Sequence, residues 1–360
     1  MALIKINSRA IPDDTVIASD IADGSISTAK LADDAVTTDK IVNNGNLGRR
    51  NFIINGTGIV CQRNGSNTSI NTYAMDRWRT YGGPGGFTLS PQSNSGEGDG
   101  YHIKFQRTSG NTQTNQMGIV QGIESYESKK LAGQEVTLSF RVRVGADWSP
   151  TNFNALIRTG TGNNENPVGM TGMLDSINSG TISGLTTSFQ TFTYTGTVPS
   201  NATQVSVSFQ WNPVGTAGAA DYVEIREVQL ELGSIATPYE NRSYADQLRD
   251  CQRYFEKSHD IGANPTHGFS GGSYEKWQPR GASGTNGSAF TIQFKERKMK
   301  SASITTFHNS GGGSGYYHIS GNADYTNGTI IGGDRKFTLT CPSTGNQNEY
   351  LFSWTADSEL

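Results

Sequence analysis

Residues 134–144 read Gln-Glu-Val-Thr-Leu-Ser-Phe-Arg-Val-Arg-Val. Val136, Leu138, Phe140, Val142 and Val144 occupy one phase of a period of two; Thr137, Ser139, Arg141 and Arg143 occupy the other. A β-strand sends successive side chains to opposite faces, so this stretch predicts a strand with one apolar and one polar side. Two packed antiparallel sheets are built from such strands. The pattern recurs in both directions. Tyr101, Ile103 and Phe105 alternate, as do Val205, Val207, Phe209 and Trp211. Val223 and Ile225 alternate until the phase slips to Val228, Leu230 and Leu232, which predicts a β-bulge near Glu227. Phe52-Ile53-Ile54 is an apolar run closed by an Asn55-Gly56 turn. Trp78 and Trp211 are assigned to the core. The fold class expected is mainly β, with a jelly-roll β-sandwich over 48–238.

The texture changes over 239–256. Ser243 can cap a helix with Asp246 three places on, and Tyr244, Leu248 and Cys251 share one helical face. A short linking helix is expected, followed by a strand from about Tyr254. Alternation then returns in Phe290, Ile292 and Phe294, in Phe337 and Leu339, and in Tyr350, Phe352 and Trp354. Glycine-rich loops separate these runs, so 257–360 reads as a smaller C-terminal β-domain.

Residues 1–47 carry a repeat of ten: IPDDTVIASD, IADGSISTAK, LADDAVTTDK, then IVNNG. Ile11, Ile21, Leu31 and Ile41 open the units, and Val16, Ile26 and Val36 follow five places later. An apolar period of five fits neither a helix nor a strand. So thin a segment cannot bury these side chains against itself, and each is worth roughly 1.5–3 kcal/mol when buried. Winding several copies about a common axis shelters them. A homo-oligomeric stalk is the expectation, with three chains the preferred number.

Composition excludes several classes. The net charge of −3 and the absence of a basic stripe argue against nucleic acid as a partner. No run of about 18 apolar residues suggests a membrane span. The start, MALIKINSRAIPDD, lacks the apolar core of a signal peptide, so export by lysis or inside a particle is expected. Cys61, Cys251 and Cys341 are far apart and read as three buried thiols in a chain made in a reducing cytoplasm.

No catalytic or metal pattern emerges, and the chain is expected not to be an enzyme. His102, His259, His267, His308 and His318 have no motif partners. Gly268-Phe269-Ser270-Gly271-Gly272 matches a nucleophile elbow in letters, but no helix pattern follows it. The glycines at 82–86 lead to no phosphate-loop lysine. No cofactor is expected; a structural calcium ion stays open at loops such as Gly96-Glu97-Gly98-Asp99.

Several stretches resemble a known family. Asn51-Phe52-Ile53-Ile54-Asn55-Gly56, Gln62-Arg63 and Asp76-Arg77-Trp78-Arg79 resemble the opening of the jelly-roll domain in tail fibres of tailed bacteriophages. Val228–Gly233 and Ala236-Thr237-Pro238-Tyr239-Glu240 resemble its closing strand. Arg242-Ser243-Tyr244 and Cys251-Gln252-Arg253-Tyr254 resemble the linker, and Trp354–Leu360 the C-terminus, of such fibres. The resemblance implies a homotrimeric structural protein of the virion tail. Its N-terminus would join a tail or baseplate protein, and its C-terminal domains would meet the host surface. Because these jelly rolls are similar to carbohydrate-binding modules, it also implies attachment through a host glycan or another envelope receptor. A tailspike polysaccharide depolymerase and a purely structural tail connector are the alternatives.

Glycan recognition needs aromatic platforms beside a few polar groups. Trp148 before Ser149-Pro150, Trp277 beside polar neighbours, and Tyr316 and Tyr317 after a run of glycines are the candidates that fall off the clean strands.

Overall fold

A computed structural model of the chain describes residues 17–22, 25–27, 49–63, 70–83, 85–93, 100–261, 275–277, 288–307, 317–319, 324–325, 328–341 and 350–360. The chain divides into two compact units, Met1–Gly48 and Arg49–Leu360. Among the described residues of the first unit, a 3-10 turn spans Ala18–Asp20. The Asp20 carboxylate accepts a bond from the Ile17 amide (3.1 Å) and pins the turn. Ile21 and Ile26 are 43% and 53% exposed, so neither finds shelter within the single chain. Ile11, Val16, Leu31, Val36 and Ile41 lie outside the described residues.

The second unit opens with eleven strands. They are β1 (Tyr73–Met75), β2 (Trp78–Gly82), β3 (Phe87–Ser93), β4 (Tyr101–Arg107), β5 (Met117–Ile123), β6 (Glu135–Val144), β7 (Phe153–Gly160), β8 (Leu174–Asn178), β9 (Gln190–Thr197), β10 (Gln204–Trp211) and β11 (Tyr222–Leu232). A one-turn helix, α1 (Ser125–Ser128), follows β5. A six-stranded sheet has the order β1-β2-β5-β10-β7-β8, and a five-stranded sheet the order β3-β4-β11-β6-β9. Every pairing is antiparallel, and from β5 to β11 the chain moves repeatedly from one sheet to the other. That is a β-sandwich of jelly-roll character.

The core lies between the sheets. Val136, Leu138, Phe140, Val142 and Val144 of β6 meet Val205, Val207, Phe209 and Trp211 of β10 in one hydrophobic cluster. Trp78 and Trp211 are buried within it, as the sequence predicts. The expected bulge is also present: β11 changes register against β6 between Arg226 and Gln229, and Glu227 has φ +53°. A bulge frees backbone groups, and Asn51 satisfies them. Its Nδ2 donates to Val228 O (3.0 Å), and its Oδ1 accepts from Leu230 N (3.1 Å) and Ile53 N (2.8 Å). Gly56 runs so close to the Val228 carbonyl that no Cβ fits there.

Helix α2 (Tyr244–Gln252) is the expected linker. Ser243 Oγ accepts from Asp246 N (3.2 Å) and donates to the Asp246 carboxylate (2.6 Å). Ser243→Ala should therefore cost about 1 kcal/mol, seen as a lower urea midpoint; an unchanged midpoint would show the cap to be dispensable. The buried face differs from the expected one. Gln247, Cys251 and Gln252 are buried, whereas Tyr244 is exposed and Leu248 half-buried. A polar junction, described below, takes the buried face and leaves the tyrosine outside. Cys251 and Cys341 are buried, but Cys61 is only half-buried; all three are free thiols.

The remaining strands are β12 (Phe255–Lys257), β13 (Glu275–Trp277), β14 (Ser288–Gln293), β15 (Ser303–Phe307), β16 (Tyr317–Ile319), β17 (Asp324–Tyr325), β18 (Thr329–Gly332), β19 (Lys336–Cys341) and β20 (Tyr350–Asp357). β20 organises them: β12, β13, β15 and β16 all pair with it, while β14-β19-β18 form a separate sheet. A second hydrophobic cluster gathers Phe290, Ile292, Phe337, Leu339, Phe352 and Trp354. The two apolar clusters draw on residues 53–230 and 290–356. With the linker at 239–256 they nevertheless pack as one compact unit.

Candidate functional site

The aromatic residues singled out from the sequence do not form one site. Trp148 is half-buried, with its ring 5.8 Å from Trp211 and 6.4 Å from Phe153, so it plugs one end of the sandwich core. Trp277 stands opposite Tyr350 in the β13–β20 register, and Tyr317 opposite Tyr325 in the β16–β17 register. Tyr316 lies outside the described residues.

Four of the stretches that carried the family resemblance, Gln62-Arg63, Asp76–Arg79, Cys251–Tyr254 and Trp354–Leu360, converge at a buried junction between the two apolar cores. Arg77, 1% exposed, ion-pairs with Glu359, donates to Gly122 O (2.5 Å) and lies 3.5 Å over the Tyr254 ring. Arg63 pairs with Asp357 (2.7 Å) and Glu359 (3.4 Å) and stacks 3.9 Å over Phe255. Gln62 donates from its backbone and side chain to Asp76 (2.5 and 2.6 Å), and from Nε2 to Phe255 O (2.9 Å). Ser358 binds backward through Tyr254 O (2.8 Å), while Glu124 takes Arg253 Nε and Tyr254 OH (both 2.6 Å). Burial pushes the Glu359 and Asp76 carboxyls up, against the downward pull of Arg63 on both and of Arg77 on Glu359. At Glu124 burial also acts upward, but the bonds from Arg253 and Tyr254 outweigh it and lower the carboxyl. Nearly every group has its partner; Arg77, Asp76 and Glu359 are buried, whereas the Asp357 and Arg253 side chains are 40% and 39% exposed. This is a clasp between the two apolar cores.

The outer faces of the sandwich differ sharply. On the six-stranded sheet the outward residues Val120, Leu156, Ser206 and Ser208 are fully covered. Tyr81 lies across Gly118, where an added Cβ would sit 2.6 Å from the ring, and bonds Ser208 Oγ (2.7 Å). Leu360 and Pro167 close over Gly122. Arg158 is held there by Asp175 (2.8 Å) and Gln210 (2.7 Å). That face is roofed.

The outer face of the five-stranded sheet is open in part: Lys104, Arg141 and Arg143 are half-buried, while His102, Glu224 and Arg226 are buried. Register places Ser90, Lys104, Glu224 and Arg143 in one row across β3, β4, β11 and β6, with Gln92 opposite His102 two residues away. Phe189, just before β9, is half-buried. Cations surround its ring: Arg143 at 4.5 Å, Arg226 at 5.4 Å and Arg141 at 5.6 Å from the centroid, with His102 edge-on at 5.6 Å. Glu224 receives Arg143 Nε (2.5 Å) and lies 3.4 Å from His102 Nε2. Burial alone would raise the Glu224 carboxyl, but the bonds from His102 and Arg143 prevail and hold it low. Tyr222 is half-buried beside Lys104, whose ammonium is 4.0 Å from the ring centroid. Thr191, Thr193 and Thr195 of β9 and Gln92 of β3 line the exposed margins. Apolar rings set among donors and acceptors on a solvent-facing sheet are the elements of a saccharide-binding surface. The sequence reading passed over Phe189. Its signal was phase: it shares the odd-numbered positions of the exposed threonines, whereas Phe192 and Tyr194 pack toward the core.

Among the described residues no group of three or more His, Cys, Asp or Glu is placed to hold a metal ion. No helix among them is long and apolar enough to cross a membrane.

No family model and no curated protein matches the chain. Solved structures with partial likeness include the enzymatically active domain of tailspike protein 4 from bacteriophage CBA120. It has 17% identity and a TM-score of 0.33, covering 51% of this chain and 21% of that one. The chain thus spans about a fifth of that protein's length. A xylan-binding domain from Paenibacillus barcinonensis has 14% identity and a TM-score of 0.29, covering 48% and 94% of the two chains. A family 11 carbohydrate-binding module from Clostridium thermocellum, in complex with a mixed-linked tetrasaccharide, has the same identity and TM-score, covering 48% and 98%. Likeness at this level settles neither family nor ligand.

Proposed function

We propose that this chain is a non-enzymatic attachment protein of a virus particle, a tail fibre. In this reading it meets a glycan of the host surface through the outer face of the five-stranded sheet. The observation that carries the reading is that Phe189 and Tyr222 are both half-buried on that face, the first beside Arg143 and the second beside Lys104. Rings there can lie against the apolar side of a sugar while the neighbours bond its hydroxyls. The resemblance of the sequence to phage tail fibres supports the virion role, with the N-terminus toward the tail.

The exposed isoleucines of the first unit support a homotrimeric stalk, since sister copies would cover Ile21 and Ile26. Three linked faces would act at high effective concentration, so each could bind weakly and attachment still hold.

The test is competition. Excess purified protein is expected to block adsorption of the parent particle to its host. Phe189→Ala should lose that block while melting at the same temperature as the original. If the variant competes as well as the original, this face is not the attachment surface.

A further inference from the structure

Building on the assignment of that face as the ligand surface, we infer that the glycan bears an anionic group, a carboxylate or phosphate, which meets the Lys104 ammonium on the outer side of Glu224. The case begins with how charge is shared. Among the described residues Lys104 and Arg143 share a single carboxylate, Glu224. The Lys104 ammonium is 4.0 Å from Glu224 Oε1 and 4.0 Å from the Tyr222 centroid, contacts too long for hydrogen bonds. All three of its donors are therefore left for a further acceptor. Arg143 uses Nε on Glu224 (2.5 Å) and packs against Phe189, which leaves the outer edge of its guanidinium toward solvent. That edge suits the two oxygens of a carboxylate or phosphate.

The neighbours strengthen the preference. His102 donates Nδ1–H to Gly100 O (3.1 Å) and presents Nε2 to the same Glu224. Arg226 and Arg141 lean on a second carboxylate, Glu227, at 2.5 and 3.6 Å. Lys104 and Arg143 are only 24% and 18% exposed. Partial burial beside two aromatic rings lowers the local dielectric, so a bound anion gains more there than at a fully exposed lysine. An uncharged sugar would leave the spare cationic donors bonded only to water. An acidic sugar would use them.

The experiment presents the full chain to an array of bacterial surface polysaccharides sorted into uronate-bearing, phosphate-bearing and uncharged sets. Binding to one of the acidic sets is expected, and which set binds separates carboxylate from phosphate. Affinity should fall about tenfold in Lys104→Gln and fall again as NaCl rises from about 0.05 to about 0.5 M. Lys104→Gln is the safer variant for folding, because that ammonium makes no hydrogen bond in the described structure. Suppose the best ligands are uncharged, and binding is lost in Phe189→Ala but kept in Lys104→Gln. The glycan face then stands and the anionic ligand is refuted. If no polysaccharide binds at all, both fall together.

Discussion

Arg77→Met is expected to destabilise the protein by about 3–5 kcal/mol, the usual cost of removing one partner from a buried ion pair. The size of the effect follows from what stays behind. Glu359 is 6% exposed and keeps only Arg63, at 3.4 Å, as a nearby cation. The Gly122 carbonyl loses its side-chain donor, and the Tyr254 ring loses the guanidinium stacked on it. Because burial already pushes the Glu359 carboxyl up, the variant can relieve part of the cost by taking a proton there. The loss should therefore be smaller in acid than at neutral pH. A second substitution sharpens the test. Removing both charges, in Arg77→Met with Glu359→Leu, should recover most of the lost stability, since the desolvation cost disappears with the ions. Urea unfolding of the single and double variants reads this directly. A single variant within about 1 kcal/mol of the original would mean that the junction carries little of the domain coupling assigned to it.

Phe209→Ala should cost a similar amount, about 3–5 kcal/mol, through a different mechanism. Phe209 is fully buried at the centre of the sandwich. Its ring meets Phe140 edge-on at 4.8 Å, stacks on Phe153 at 6.0 Å and lies 6.3 Å from Trp78. Those neighbours sit on both sheets and cannot collapse into the void without breaking register. Phe209→Leu should cost clearly less, because the hole is smaller. The loss in Phe209→Ala should also be insensitive to pH, unlike that in Arg77→Met. Thermal and urea unfolding check both points; equal losses for Ala and Leu would show that the site repacks freely. Domains commonly hold only about 5–15 kcal/mol in total, so either variant consumes a large fraction of the stability.

The two cases divide by range. Phe209 falls on the apolar phase of Val205, Val207, Phe209 and Trp211, a pattern confined to seven residues. The bulge at Glu227 was legible for the same reason, as a slip of phase in a single strand. The Ser243 cap needed only three residues of context. Asn51 shows where local reading stops: its partners Val228 and Leu230 are far along the chain, and nothing near Asn51 announces them.

What the sequence determined by itself was the period of each segment: which residues alternate, where phase slips, where a helix begins, and that a five-spaced aliphatic repeat opens the chain. Those properties depend on neighbours within one turn or one strand, where backbone geometry alone dictates which side chains share a face. Only the tertiary structure decided which sheet face is roofed and which lies partly open, and therefore that Phe189 rather than Trp148 stands at the candidate ligand surface. It also decided that Arg63, Arg77, Tyr254 and Glu359 form an internal clasp. Charges separated by almost the whole chain are brought together by strand pairing, and burial then fixes their role, which no local spacing encodes.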